Sequence, residues 1–401
     1  MVGRCVVAQN IEMIDQTVPR RVYASGSLRE LALLFLRLGT TAFGGPAAHI
    51  AMMEDEVVRR RHWMTRERFL DLLGATNLIP GPNSTEMAIH IGHQQAGWPG
   101  LVVAGSVFII PAAAITLLFA WAYERFGSLP QAAGLLYGVK PVIIAVVLQA
   151  LWGLGRTAVK TRFLAFVGVS AVAANALGLN EVLTLLGAGA VTVGAQLFEG
   201  ARVKLSAAAA WASTAAPLVG ATVAVPFSLT ALFLFFLKVG AILFGSGYVL
   251  LAFLRADLVD HWHWLTEAQL LDAIAVGQIT PGPVFSAATF IGYVLGGVRG
   301  ALVATAGIFL PSFLFVALSG PLVPRLRRSP TAGAFLDGVN VGSLALMALV
   351  TWALVRVAVV DVTTAVLAGA SAVLLIWFRT NSVWLVLGGA CVGLVFRGAV
   401  P

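Results

Sequence analysis

Two stretches of this chain place Pro-Gly-Pro inside apolar sequence, about half the chain apart. The first is Asn77-Leu78-Ile79-Pro80-Gly81-Pro82-Asn83-Ser84-Thr85-Glu86. The second is Gln278-Ile279-Thr280-Pro281-Gly282-Pro283-Val284-Phe285-Ser286-Ala287. Proline lacks an N–H and pushes the residue before it out of the helical region, so each triplet is expected to end a helix. Proline also suits the first helical turn, so a second helix is expected to start there. The N–H groups of Asn83, Ser84 and Thr85 would then be free, and such a helix start attracts anions through its donors and dipole. The side chains of Asn77, Asn83, Ser84, Thr85, Gln278 and Ser286 add further donors. A pair of hinges or turns is the plainer reading of the breaks; their repetition argues for a ligand.

Other groups could serve the same centre. Glu86 lies one turn into the helix after the first break, and His90 and His93 follow on the same face. A carboxylate inside a membrane is a candidate proton carrier, and a proton relay through the histidines competes with simple packing of the rings. Asp71 and Asp272 lead into the two breaks, as couplers or as caps and partners of arginine. Asp337 precedes a later span. Lys140 stands in an otherwise uncharged stretch, 126–155, either binding an anion or snorkelling to an interface. Arg37 and Lys238 carry the same two alternatives. Glu54, Asp55 and Glu56 with Arg59, Arg60 and Arg61 read as a solvated face. No cysteine or histidine spacing points to a metal, and no cofactor is implied. Cys5 and Cys391 form no framework. A nucleotide loop and a nucleophile constellation are both missing from the sequence, so a transporter driven by an ion gradient is expected rather than an enzyme. A passive anion channel stays open as an alternative.

These residues must be positioned by membrane helices. The 401 residues are 59% hydrophobic and only 11% charged, with mean hydropathy +0.90. Soluble domains carry about 25% charge. The stretches 94–123, 205–237 and 301–324 lack any charge and are long enough to cross a bilayer. Trp98 and Trp121 bracket the first, as interfacial tryptophans do. The 42 glycines suit close packing of membrane helices. The net charge of +8 fits basic cytoplasmic loops, and scattered basic residues argue against nucleic acid.

The chain is a tandem repeat. At an offset of 201, Trp63, Thr65, Asp71 and the first Pro-Gly-Pro match Trp264, Thr266, Asp272 and the second. One residue is then lost. At 200, Gly92, Gly97, Gly100 and Pro111 match Gly292, Gly297, Gly300 and Pro311. The expected organisation is a polar tail (1–27), a first repeat (28–198), a linker that could itself cross (199–228) and a second repeat (229–401). Arg156, Lys160 and Arg162 form a basic loop in the first repeat. In the second, the basic loop, Arg325 to Arg328, comes one span earlier. The positive-inside rule then makes the repeats antiparallel. The fold expected is an all-α integral membrane protein of two inverted-topology halves. It has about 10–13 transmembrane helices, with broken helices and hairpins at Pro-Gly-Pro, a plan common among secondary transporters. Whether the hairpins cross the bilayer or re-enter from one side is left open.

The element Phe43-Gly44-Gly45-Pro46, the acidic stretch behind it, the segment Asn77–Asn83 and the inverted halves resemble the chromate ion transporter family, in its long two-domain form. The second half departs from the pattern: Phe244-Gly245-Ser246-Gly247 lacks the proline, and Gln278 replaces the asparagine. The resemblance implies export of chromate from the bacterial cytoplasm across the inner membrane, driven by the proton-motive force and conferring chromate resistance. The substrate-binding candidates are Phe43, Gly44 and Gly45, then Asn77, Pro80, Gly81, Pro82, Asn83, Ser84 and Thr85, then Gln278, Pro281, Gly282, Pro283 and Ser286, with Lys140 as a charge. Glu86, Asp71, Asp272 and His90 are the proton-coupling candidates. Sulfate, which shares chromate's shape and charge, is the alternative substrate. A homodimer is a further possibility.

Overall fold

The computed structural model describes residues 27–197 apart from 44 and 128, and residues 226–397 apart from 245–248, 328 and 379. The tail, most of the linker, Gly44 and the segment 245–247 therefore lie outside the described residues. Every element among the described residues is helical.

The first half begins with α1 (Leu28–Thr41) and α2 (Gly45–Glu54), which runs into a π-helical turn, Asp55–Arg60. Next come α3 (Arg66–Thr76), the long α4 (Asn83–Phe126), α5 (Pro130–Ala158), α6 (Arg162–Ala176) and α7 (Glu181–Leu197). The second half repeats the order. Its elements are α8 (Leu229–Ile242), α9 (Leu250–Leu254) with a π-helical turn Arg255–His261, α10 (Glu267–Ile279), α11 (Ala287–Arg327), α12 (Pro330–Ala358), α13 (Val362–Ile376) and α14 (Ser382–Arg397). The residue lost between the repeats is absorbed at the second break. A 3-10 turn, Val284–Ser286, stands there where α4 starts as a regular α-helix.

Side-chain contacts show how these helices fold back. Arg37 meets Glu56 at 3.4 Å and Glu30 meets Arg61 at 3.8 Å, so α1 and α2 form a hairpin with Ala42 and Phe43 toward its tip. Inside α4 the backbone breaks at Ala96 and Gly97, the latter at φ +59°. Gly92 and Gly100 press against each other's carbonyl oxygens, leaving no room for a Cβ on either. Residues 83–95 are therefore a short arm, antiparallel to a long arm, 98–126. Gln95 donates to the carbonyl of Trp63 at 3.2 Å, and Arg68 donates to Gln94 at 3.1 Å. The short arm thus ends where α3 begins. α3 and the short arm form a second hairpin, with the Pro-Gly-Pro at its tip. Both hairpins enter and leave on one face of the molecule, the path of a re-entrant hairpin.

The second half does the same from the other face. Gly292 and Gly300 repeat the close pair, and Gly297 repeats the break at φ +59°. Tyr123 lies roughly 40 Å beyond Gly97 along the long arm, at 1.5 Å per residue. It donates a hydrogen bond to Asp272 at 3.1 Å, and Asp272 sits near the base of the second half's hairpin, in the early turns of α10. The base of the second half's hairpins is therefore at the far end of the first half's long arm. The halves are inverted, as the loop charges suggest.

Four helices among the described residues are long and apolar enough to cross a membrane: Asn83–Phe126, Pro130–Ala158, Val284–Ser319 and Pro330–Ala358. α6, α7, α8, α13 and α14 are shorter apolar helices. The halves are also interlocked. α5 packs on α13 and α14 of the other half, and α12 packs on α6 and α7. Gly138 against Gly389 and Gly338 against Ala188 permit the close approach.

Candidate functional site at the meeting of the helix breaks

Four hairpin tips meet midway along the long arms. Gly81 N–H donates to the carbonyl of Leu243 at 2.7 Å, and Gly282 N–H donates to the carbonyl of Ala42 at 3.0 Å. Gly81 and Gly282 are equivalent, as are Ala42 and Leu243. Each Pro-Gly-Pro is thus bonded to the first hairpin of the opposite half. Interrupted helices leave unsatisfied backbone groups, which in a membrane interior must find partners in protein. The reciprocal exchange provides them. Both glycines have positive φ, +137° and +87°, where an L side chain is strained.

The first tip is lined by unpartnered oxygens. Ser84, Thr85 and Glu86 start the short arm and are buried; Thr85 and Glu86 are wholly inaccessible. Thr85 Oγ1 and both Glu86 carboxylate oxygens lack a hydrogen-bond partner among the described residues, as does Ser312 Oγ from the middle of α11. A Cβ placed on Gly81 would run into Glu86 Oε1 and stand 3.0 Å from Ser312 Oγ. Of the three N–H groups expected to be free, that of Thr85 is taken up by the Pro82 carbonyl at 2.8 Å. Asn83 donates its amide to Asn77 at 2.9 Å, closing the base of the turn around Pro80 and Pro82.

The second tip is built from other side chains. A Cβ on Gly282 would stand 2.9 Å from Ala112 and 3.1 Å from the carbonyl of Gly39. Thr280 and Thr116 approach to 3.4 Å. Pro281 and Pro283 are buried, Ser286 Oγ is buried and unpartnered, and Gln278 has an unpartnered amide nitrogen. His49 is 1% exposed, and its ring Nε2 stands 3.1 Å from the Ala42 carbonyl that also receives Gly282. Beside the tip of the first hairpin, Phe43 is exposed and Gly45 takes φ +76°. A cavity of about 310 Å³ opens next to the first tip, between Leu78, Phe244 and the start of α12 at Ser329 and Thr331. That volume exceeds a tetrahedral oxyanion several-fold.

The remaining candidates are placed elsewhere. Lys140 pairs with Asp272 at 3.0 Å, both largely buried, with Tyr123 as a third partner. The charge expected to face an anion and the carboxylate expected to carry a proton thus meet each other. Asp71, the equivalent of Asp272, is exposed. Arg37 and Lys238 are held by equivalent acids, Glu56 and Asp257. Glu56 is 6% exposed and gathers Arg37, Arg60 and Arg61, so it is not on a solvated face. Asp337 pairs with Lys160 at 2.7 Å. His90 is buried with an unpartnered Nε2, and His93 stacks edge-on to Trp98 at 5.7 Å.

The sequence reading missed His49, Thr116 and Ser312. Each is a lone polar residue in an apolar run, and its meaning depends on which tip it reaches. Thr116 and Ser312 carry a usable signal all the same: in the repeat alignment they face Val316 and Ala112, so the halves differ there in polarity.

A family model described as chromate transporter matches residues 29–194 and again 230–394. The chromate transport protein of Cupriavidus metallidurans is 35% identical over 377 residues, which is 92% of this chain and 93% of that protein. The chromate transport protein of Pseudomonas aeruginosa is 33% identical over 342 residues, 82% of each chain. An uncharacterized transporter of Bacillus subtilis, YwrA, is 27% identical over 162 residues, 39% of this chain but 91% of its own length. A protein the size of one half therefore exists by itself. No solved structure matches the chain.

Proposed function

The chain belongs to the chromate transporter family, and we propose that this multi-pass membrane protein moves chromate out of the bacterial cytoplasm across the inner membrane, driven by the proton-motive force and so conferring chromate resistance. The observation that carries the reading is the reciprocal exchange at the tips, Gly81 to Leu243 and Gly282 to Ala42. It sets helix starts from two inverted halves around one midplane point, the arrangement alternating access requires. A tetrahedral dianion gives up strong hydration on entry and needs several N–H and O–H donors in return. Asn83 and Ser84 at the start of α4, with Ser286 at the second break, are the donors proposed to face it. Lys140 is engaged with Asp272, so it serves as a fixed strut rather than as the anion's partner.

Glu86 is proposed as the coupling group. An ionised carboxylate without partners costs several kcal/mol to bury, so a cation must accompany it. A proton carried inward on Glu86 while the anion site is empty, in alternation with the anion carried outward, is antiport. Labelled chromate uptake into inverted membrane vesicles, with and without an imposed proton gradient, tests this. Gradient-dependent accumulation supports coupled export. Equilibration without accumulation would favour a passive channel. If excess labelled sulfate moves and chromate does not, the substrate is sulfate.

A further inference from the structure

An anion draws on donors, yet the first tip is also rich in acceptors that the anion does not need. Glu86 offers two carboxylate oxygens, Thr85 and Ser312 one hydroxyl oxygen each, and all four are buried without a partner among the described residues. They come from two halves of the chain. Glu86 and Thr85 open the short arm of α4, while Ser312 stands in the middle of α11. Gly81 brings Glu86 and Ser312 together: the space that a side chain there would occupy touches Glu86 Oε1 and lies 3.0 Å from Ser312 Oγ.

Oxygen ligands of this kind suit a hard cation. The set carries one formal negative charge, which balances one positive charge and not two. Among the described residues no group of three or more His, Cys, Asp or Glu could hold a metal, so a transition metal or a tightly bound divalent ion is a poor match. Coordination of an alkali cation by hydroxyls and a carboxylate at interrupted helices is a chemistry that inverted-repeat membrane proteins can build. The equivalent place at the second tip has Ala112 where Ser312 stands, and Ser286 or Ala287 at the positions that correspond to Glu86. The set therefore occurs once in the repeat pair.

We propose that Glu86, Thr85 and Ser312 form a sodium site at the first hairpin tip, in which sodium takes the place of the proton on Glu86. The inference goes beyond the chromate reading and does not depend on which anion moves. Sodium there would neutralise the buried carboxylate and fasten the first half's hairpin to α11 of the second. Occupancy would then be felt by the contact between the halves.

The test uses the purified full-length protein in sodium-free buffer at a fixed, mildly alkaline pH. Binding of radiolabelled sodium and the shift in thermal unfolding on adding sodium, potassium or choline chloride are measured together. Saturable sodium binding with a stabilising shift is expected. Glu86→Gln should abolish both. Ser312→Ala should weaken binding roughly tenfold, the loss expected for one polar ligand. Ser343→Ala, which removes another buried and unpartnered hydroxyl, on α12 and outside the proposed ligand set, should leave binding unchanged. If Glu86→Gln fails to fold, Thr85→Val and Ser312→Ala carry the test. Folded wild-type protein that binds no sodium, or binding that survives in Glu86→Gln, would overturn the proposal. Because binding is read without chromate, a failure of chromate transport in vesicles leaves this result standing by itself.

Discussion

The two Pro-Gly-Pro tips share a backbone and differ in almost every side chain around it. Both glycines take positive φ, and both donate to the first hairpin of the other half. Around Gly81 stand Glu86 and Ser312; around Gly282 stand Ala112 and the Gly39 carbonyl. Behind the first tip, Ile79 and Val316 share an apolar cluster; at the equivalent positions of the second, Thr280 approaches Thr116. His49 reaches Ala42 in one half, and its equivalent in the other is Leu250. Symmetry has been kept in the backbone of the tips and given up in the side chains around them. A site lying on a pseudo-twofold axis can use each half once, so nothing requires both halves to carry the same polar groups.

The sharpest break of this comparison is Glu86→Gln. It should remove gradient-dependent accumulation of chromate in vesicles while leaving the protein folded. Ser286→Ala, at the nearest equivalent place, should reduce accumulation only a few-fold. Equal losses in the two variants would mean that the tips are functionally alike.

A second contrast concerns the paired acids. Asp272→Ala should destabilise the protein by about 3–5 kcal/mol, because it strands Lys140 in a largely buried place. Asp71→Ala, at the exposed equivalent, should cost within about 1 kcal/mol. Chemical unfolding in detergent reads both. Replacing Lys140 and Asp272 together with apolar residues of similar size should recover most of the loss.

Much of this architecture is legible from the chain alone. The offset of 201 falling to 200 locates the repeat, and the lost residue reappears as the 3-10 turn Val284–Ser286. Inversion follows from loop charge before Tyr123 is seen against Asp272. The re-entrant path is not legible. It depends on Gln95 finding Trp63 and on Gly92 finding Gly100, and neither contact leaves a periodic trace. The Lys140–Asp272 pair also escapes, because its members come from different halves and each looks like a lone charge. Ser312 is hidden for the same reason, since it meets Gly81 and Glu86 of the other half.

Gly282→Ala should cost more folded protein than Gly81→Ala. Both meet a positive φ, with strain of order 1–3 kcal/mol. The added methyl at 282 meets Ala112 and backbone, which cannot move, whereas at 81 it meets the ends of two side chains. Detergent-extracted yield of the folded protein checks the order.

The smallest effect is expected where the halves differ by a plain exchange of charge. Glu54 pairs with Arg66 at 3.2 Å, and at the equivalent positions Arg255 pairs with Glu267 at 2.6 Å. Since either polarity serves, the pair is expected to join successive hairpins and to take no part in anion binding. Swapping Glu54 and Arg66 should leave transport within twofold and stability within about 1 kcal/mol. A large loss of transport would show that the local field there matters.

The central claim is that an anion is handled where the two breaks meet. The most direct measurement is labelled chromate accumulation in inverted vesicles carrying equal amounts of wild type, Pro82→Ala or Pro283→Ala. An N–H at either position lets the preceding helix run on and displaces the donors behind it. Accumulation should fall at least tenfold in both variants, with Pro82→Ala the more severe because its helix carries Glu86. Unchanged accumulation in both would contradict the account and move the anion's path away from the tips.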